Sequence, residues 1–193
     1  MTKIIGLTGG IGSGKTTLAL YMESLGIPVF IADDEAKKVM QFPEVLDAIY
    51  SIFGDAIFEN GQLNRQKLAA IVFSNPEKLS QLNAIIHPAV KKHFAIWLNQ
   101  YQSEPFVVYE AAILFESGSY QNCDFIITIS APIEDRILRV MERDDSSREQ
   151  VMQRIQAQWT DEQRASKSNF EIYNSNPETA KLELDKILKI LEN

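Results

Sequence analysis

The segment Gly9-Gly10-Ile11-Gly12-Ser13-Gly14-Lys15-Thr16 constrains this chain more than any other feature. It fits G-x-x-x-x-G-K-[ST] and directly follows the apolar run Lys3 to Thr8. It leads into Thr16 to Leu25, where apolar residues recur at helical spacing before Gly26. Five of the nine glycines lie between Gly6 and Gly14, so the backbone there can take positive φ and turn successive N–H groups toward one point. The following helix adds the positive end of its dipole. Strand, glycine loop and helix together read as a cradle for a nucleotide's phosphates, built from Gly9, Gly10, Ile11, Gly12, Ser13, Gly14, Lys15, Thr16 and Thr17. In such a cradle the Lys15 ammonium reaches the β- and γ-phosphates and the Thr16 hydroxyl can ligate magnesium. Spacing rejects a dinucleotide fold, because G-x-G-x-x-G starting at Gly10 needs glycine where Lys15 stands.

A second unit follows at once: Pro28 to Ala32 is an apolar run, and Asp33, Asp34 and Glu35 suit the positive start of a helix. Two β-α units in succession predict an α/β fold with a parallel sheet. From Pro43 to about Gln102 the pattern is mainly helical, with a start at Ser74-Asn75-Pro76-Glu77. His87 precedes Pro88, which predicts a break between two helices there. Phe106 to Tyr109 and Asp124 to Ser130 supply further strands, Pro132 opens a helix, and a short strand at Phe170 to Tyr173 precedes a last helix from about Asn176. Met141 to Ser168 is polar and charged, and reads as a mobile helical excursion outside the core.

A net charge of −7 leaves no global positive field for a long nucleic acid or an anionic membrane, so any anion must be held locally. Cys123 is the only cysteine, which excludes an internal disulfide and a cysteine zinc cluster; it reads as a buried, inert thiol in a reducing cytoplasm. The apolar start lacks a signal-peptide pattern, and no stretch of 18 apolar residues occurs, so the expectation is a cytoplasmic chain with no membrane span and no obligate protein partner.

Asp33 follows the second strand at the sheet edge that carries the phosphate loop, where it can accept a proton from an attacking hydroxyl or cap the next helix; residue chemistry weighs the two evenly. Glu110, at the end of another strand, suits a magnesium role, against a solvated strand-end acid. Arg136, Arg139 and Arg143, at i, i+3 and i+7, share a helix face, and with Arg148, Arg154 and Arg164 they read as a lid that neutralises transferring phosphate. Singly, each also fits a solvated pair such as Asp135 with Arg139.

Over nearly its whole length the chain resembles the dephospho-coenzyme A kinase family. The resemblance is carried by Leu7 to Thr16, Ala32-Asp33 with Ala36, Gly61 with Arg65 and Leu68, Ile86-His87-Pro88, Leu114-Phe115-Glu116, Arg143-Asp144-Asp145, and Asn174. It implies a P-loop NTPase three-layer sandwich with a parallel sheet of about five strands, a helical substrate-binding insertion and a small lid. The implied layout is a nucleotide core at 1–58, the insertion at 59–103, core again at 104–140, the lid at 141–168, and a closing strand and helix at 169–193. The implied reaction is transfer from ATP, with Mg2+, to the ribose 3′-hydroxyl of dephospho-coenzyme A, the last step of coenzyme A biosynthesis. By that resemblance Asp33, Lys15 and Arg143 are catalytic, Arg139 and Asn174 join the nucleotide site, Asp33, Arg65 and His87 bind the acceptor, and Thr16 and Glu110 hold the metal. The chain departs from the family pattern at Ile31 (commonly Asp), at Ala112-Ile113 (Pro-Leu) and at Ser168-Asn169 (Ala-Asp). Two other readings are a nucleoside monophosphate kinase and an ATP-driven switch; a guanine-specific switch is disfavoured because no lysine has aspartate two positions on.

Overall fold

The computed structural model describes residues 2–192, apart from the Phe73 side chain. It divides into two compact units, residues 1–31 with 101–193, and residues 32–100. The helical unit thus starts at Ala32, directly after the second strand, rather than near residue 59.

In the first unit, β1 (Lys3–Thr8), β2 (Val29–Ile31), β5 (Phe106–Glu110), β6 (Phe125–Ser130) and β7 (Phe170–Tyr173) form one sheet in the order β2-β5-β1-β6-β7. Every pairing is parallel, with Leu7 opposite both Glu110 and Ile127, and Ile31 opposite Glu110. Strands β1, β5 and β6, buried along most of their length, read as apolar runs in the sequence, and the limits of β1 and β7 match those predicted. Leu18, Ala19 and Met22 of α1 (Lys15–Ser24) and Ala180, Leu184, Ile187, Leu188 and Leu191 of α9 (Pro177–Leu191) pack with β1, β5, β6 and β7 in the main core. No helix among the described residues is long and apolar enough to cross a membrane.

The segment 141–168 corrects one expectation. It holds the end of α6 (Ile133–Asp144), α7 (Arg148–Gln156) and α8 (Asp161–Ala165), the last two opened by capping boxes at Ser147 and Thr160. Polar as it is, it shares a small core of its own: Ile137, Val140 and Val151 pack with Ile11 of the glycine loop, flanked by Met141, Met152 and Ile155. Six apolar side chains spread over 19 residues are too sparse to register as core in the sequence, yet they suffice to seat α7 against α6 and the glycine loop.

The second unit holds α2 (Ala32–Val39), α3 (Pro43–Phe53), a hairpin of β3 (Phe58–Glu59) and β4 (Gln62–Leu63), α4 (Arg65–Phe73) and α5 (Pro76–Leu98). Asn64 and Asn75 cap α4 and α5 by accepting from two backbone amides each. The predicted break at His87-Pro88 does not occur, because α5 runs through Pro88. A helix-interior proline costs about 3 kcal/mol. Here α5 is the spine against which α2, α3 and α4 pack, burying Ile86, Val90 and Phe94, and that packing outweighs the missing amide bond. The hairpin escaped the sequence reading because strands of two residues carry no periodicity.

Cys123 is half-buried, and burial pushes its thiol up to about 12. Native protein at pH 8 is therefore expected to react with iodoacetamide far more slowly than urea-unfolded protein, followed by mass; equal rates would show a reactive thiolate.

Candidate functional site

The glycine loop, residues 9–14, bridges β1 and α1, and its carbonyls are held from outside. Arg136 Nε donates to the Ile11 carbonyl at 3.0 Å, Arg139 Nη1 to the Gly12 carbonyl at 3.3 Å, and Asn174 Nδ2 to the Ser13 carbonyl at 2.8 Å. In a trans peptide the C=O and the next N–H point in opposite directions. Anchoring these three carbonyls therefore turns the amides of Gly12, Ser13 and Gly14 the other way. The Ser13 amide closes a turn onto the Gly10 carbonyl at 3.0 Å, and those of Gly12 and Gly14 remain for a ligand. The first amides of α1 lack intrahelical partners and add to the nest.

The glycines are required by this packing. A Cβ at Gly10 would collide with the Arg136 guanidinium, and one at Gly12 would meet the Arg136 carbonyl at 2.5 Å, on a residue whose φ is already +79°.

Lys15, mostly covered, places Nζ 3.3 Å from Oε1 of Glu110, whose side chain is 1% exposed. The carboxylate holds the ammonium near the loop, while the exposed Thr16 and Thr17 lie in the first turn of α1. Thr16 and Glu110 together offer two hard oxygen donors for a divalent cation.

The arginines do not act as one face. Arg136, 5% exposed, is packed under the loop with Nη1 on Asp161 at 3.0 Å. Arg139 bonds Gly12 and also the Asn174 carbonyl at 3.4 Å, with Asp135 3.7 Å away. Arg143 is exposed and engages Asp144 through two bonds of 2.7 and 3.0 Å. The Arg143 guanidinium, joined by Arg154, holds the Asp144 carboxyl down at about 2. Arg164 is fully buried, where the sequence suggested solvent. Only its partners could have revealed that: Glu116 and Asp161 lie 48 and 3 residues away in the chain.

The predicted residues of the helical unit stand as follows. Asp33 is exposed in the first turn of α2, and among the described residues its carboxylate accepts no backbone amide, so a helix cap is not its role here. Its neighbours are paired, Asp34 with Lys37 at 2.7 Å and Glu35 with Lys38 at 2.6 Å and His93 at 2.9 Å. Arg65 is exposed at the start of α4.

His87 is half-buried on α5, and burial lowers its pKa below 6.5. As pH falls below about 6.5 the unfolded chain takes up this proton before the folded one, so stability is lost with falling pH. His87→Gln is expected to flatten the acid limb of the Tm curve below pH 6.5; an unchanged limb would refute it.

Sequence reasoning missed Gln158, whose side chain accepts the Ile11 amide at 2.9 Å, since a lone glutamine in a polar tract carries no signal. The departure at Asn169 is structural: its side chain accepts the Ile126 amide at 2.8 Å, a bond that aspartate makes equally well.

Comparison with known proteins agrees with this geometry. The dephospho-CoA kinase family model matches residues 3–179. A dephospho-CoA kinase of Bacteroides fragilis is 41% identical over 88% of this chain and 83% of its own. A crystal structure from Thermus thermophilus, 35% identical, superposes with a TM-score of 0.88 over 98% of both chains. The dephospho-CoA kinase of Campylobacter jejuni, 28% identical, gives 0.70 over 98% of this chain and 96% of that one. With a phosphate loop braced from behind and a match spanning most of its length, the chain belongs to the dephospho-CoA kinase family.

Proposed function

We propose that this chain transfers the γ-phosphoryl group of ATP to the ribose 3′-hydroxyl of dephospho-coenzyme A, giving ADP and coenzyme A, the last step of coenzyme A biosynthesis. The observation that carries the reading is the loop whose carbonyls at Ile11, Gly12 and Ser13 are all held from outside. That arrangement preorganises the opposed amides for polyphosphate oxygens and costs no reorganisation when charge develops.

In this reading the amides of Gly12, Gly14 and the first turn of α1 hold the β- and γ-phosphates, and Lys15 offsets charge on the transferring group. Asp33 takes the proton as the ribose oxygen attacks phosphorus and the β–γ bridging bond breaks toward ADP. Its support is chain position: it follows two residues after Ile31, the β2 residue opposite Glu110. Arg139 and Asn174, which brace the loop, also serve the nucleotide, while Arg65 and His87 bind the acceptor. Arg143 exchanges Asp144 for phosphate as the segment 141–168 closes over the nucleotide. Among the described residues no cluster of three or more His, Cys, Asp or Glu side chains suits a metal. A magnesium ion on Thr16 and Glu110 would therefore take most ligands from phosphate and water, as this cation prefers. When bound it neutralises charge on the phosphate oxygens.

The test is incubation with ATP, Mg2+ and a panel of acceptors, followed by mass. Phosphorylated dephospho-coenzyme A is the expected product. Faster turnover of nucleoside monophosphates, or ATP hydrolysis with no acceptor modified, would contradict the assignment.

A further inference from the structure

The loop's first peptide is held from an unexpected direction. The Gly10–Ile11 unit has its carbonyl bonded by the Ser13 amide at 3.0 Å and its N–H bonded to Oε1 of Gln158 at 2.9 Å. Ile11 is 8% exposed, so this amide has little access to water. Gln158 lies in the short connection between α7 and α8, and its neighbour Trp159 anchors that connection. The Trp159 amide donates to Glu116 at 3.1 Å, its carbonyl accepts from the buried Arg164 at 2.6 Å, and its ring stacks on Phe115 at 5.4 Å with an interplanar angle of 3°. Asp161, two residues on, joins Arg164 to Arg136, which holds the next carbonyl of the loop.

We infer that Gln158 is a positioning residue for the nucleotide's phosphates: it fixes the Gly10–Ile11 peptide, and so the loop backbone that presents the Gly12 and Gly14 amides. The inference rests on the reading that this loop binds the ATP polyphosphate. Without the Gln158 oxygen, the Ile11 N–H is a nearly buried donor lacking an acceptor, and the peptide gains by rotating to find one. Such a shift would break the Ser13 turn, which closes on the Gly10 carbonyl, and loosen the backbone that presents the Gly12 and Gly14 amides. Phosphate affinity then falls although no phosphate ligand has been removed. A cavity of about 940 Å³, lined in part by Arg136, Ile155, Gln158, Trp159 and Asp161, borders the clamp and leaves Gln158 room to disengage. The motif Leu114-Phe115-Glu116 gains a role here, since Phe115 and Glu116 hold the segment that carries Gln158.

The experiment measures ATP binding by titration calorimetry without acceptor, together with the KM for each substrate, in the full chain and in Q158N and Q158L. Q158N withdraws the acceptor oxygen by one methylene, and Q158L removes it. Both variants are expected to bind ATP about tenfold more weakly, as loss of one hydrogen bond that leaves a buried donor unpaired predicts. The acceptor KM and the kcat at saturating ATP should stay within about twofold, because no group touching the reacting atoms has changed. Hydrogen exchange at Ile11 should speed up in both variants, a readout that holds even if Q158L folds poorly. Wild-type affinity in Q158N with Ile11 exchange unchanged would overturn the inference while leaving the loop reading intact. Failure of the wild-type protein itself to bind ATP would overturn both, and is distinguishable on that ground.

Discussion

Replacing Lys15 with methionine is expected to lower kcat/KM for ATP by about 10²- to 10³-fold, the cost of removing one preorganised charge from a transferring group. It should also lower stability, for a separate reason. Glu110 is 1% exposed and its Oε1 lies 3.3 Å from the Lys15 ammonium. Without that cation the buried carboxylate loses the ion pair it makes with Lys15, a change that costs about 3 kcal/mol in comparable buried pairs. For a chain of this size the corresponding drop in Tm is roughly 5–10 °C. The two effects separate in the double variant Lys15→Met/Glu110→Gln. Neutralising Glu110 should recover most of the Tm, while activity stays lost. Melting curves and initial rates on the three variants check this. Recovery of activity in the double variant would mean that Lys15 serves only to compensate Glu110.

Asp33→Asn carries the second large effect, a fall in kcat of about 10²- to 10⁴-fold with the ATP KM little changed. The asparagine keeps the shape of the side chain and one acceptor oxygen, and loses the negative charge and with it the capacity to take a proton. Because Asp33 is exposed on α2 and caps no amide among the described residues, the variant should melt with the wild type. That pairing of normal Tm with lost turnover separates a base from a residue that merely supports its helix. Full turnover in Asp33→Asn would require another proton acceptor.

The parts of the fold legible in the sequence are those with local signals. The buried parallel strand Lys3–Thr8 appears as an apolar run bounded by turn residues, the edge strand Phe170–Tyr173 is a short stretch with only Ile172 buried, and the phosphate loop announces itself by spacing. Helix starts at Asn75 and Asn176 followed from an asparagine before proline. Long-range causes were not legible. Pro88 was read by its local preference, and packing along α5 overrode it. Arg136 and Arg164 were read as part of an arginine lid, or singly as solvated surface charges. Each is buried against partners distant in sequence, Ile11 for the first and Glu116 for the second.

The same distinction divides the site. Lys15, Thr16 and the glycines were visible as one motif, whereas the groups that aim the motif, Arg136, Arg139, Asn174 and Gln158, come from between 125 and 161 residues away. Their bonds are to backbone carbonyls and amides, which carry no residue code. A sequence can name the cradle, and only the fold shows what holds it open.

The most direct measurement of that central claim is a crystal structure of the protein with a non-hydrolysable ATP analogue. The account predicts β- and γ-phosphate oxygens at about 3 Å from the amides of Gly12, Gly14 and Lys15, with the carbonyls of Ile11, Gly12 and Ser13 still bonded to Arg136, Arg139 and Asn174. A triphosphate bound elsewhere, or bound there with those carbonyls turned inward, would contradict it.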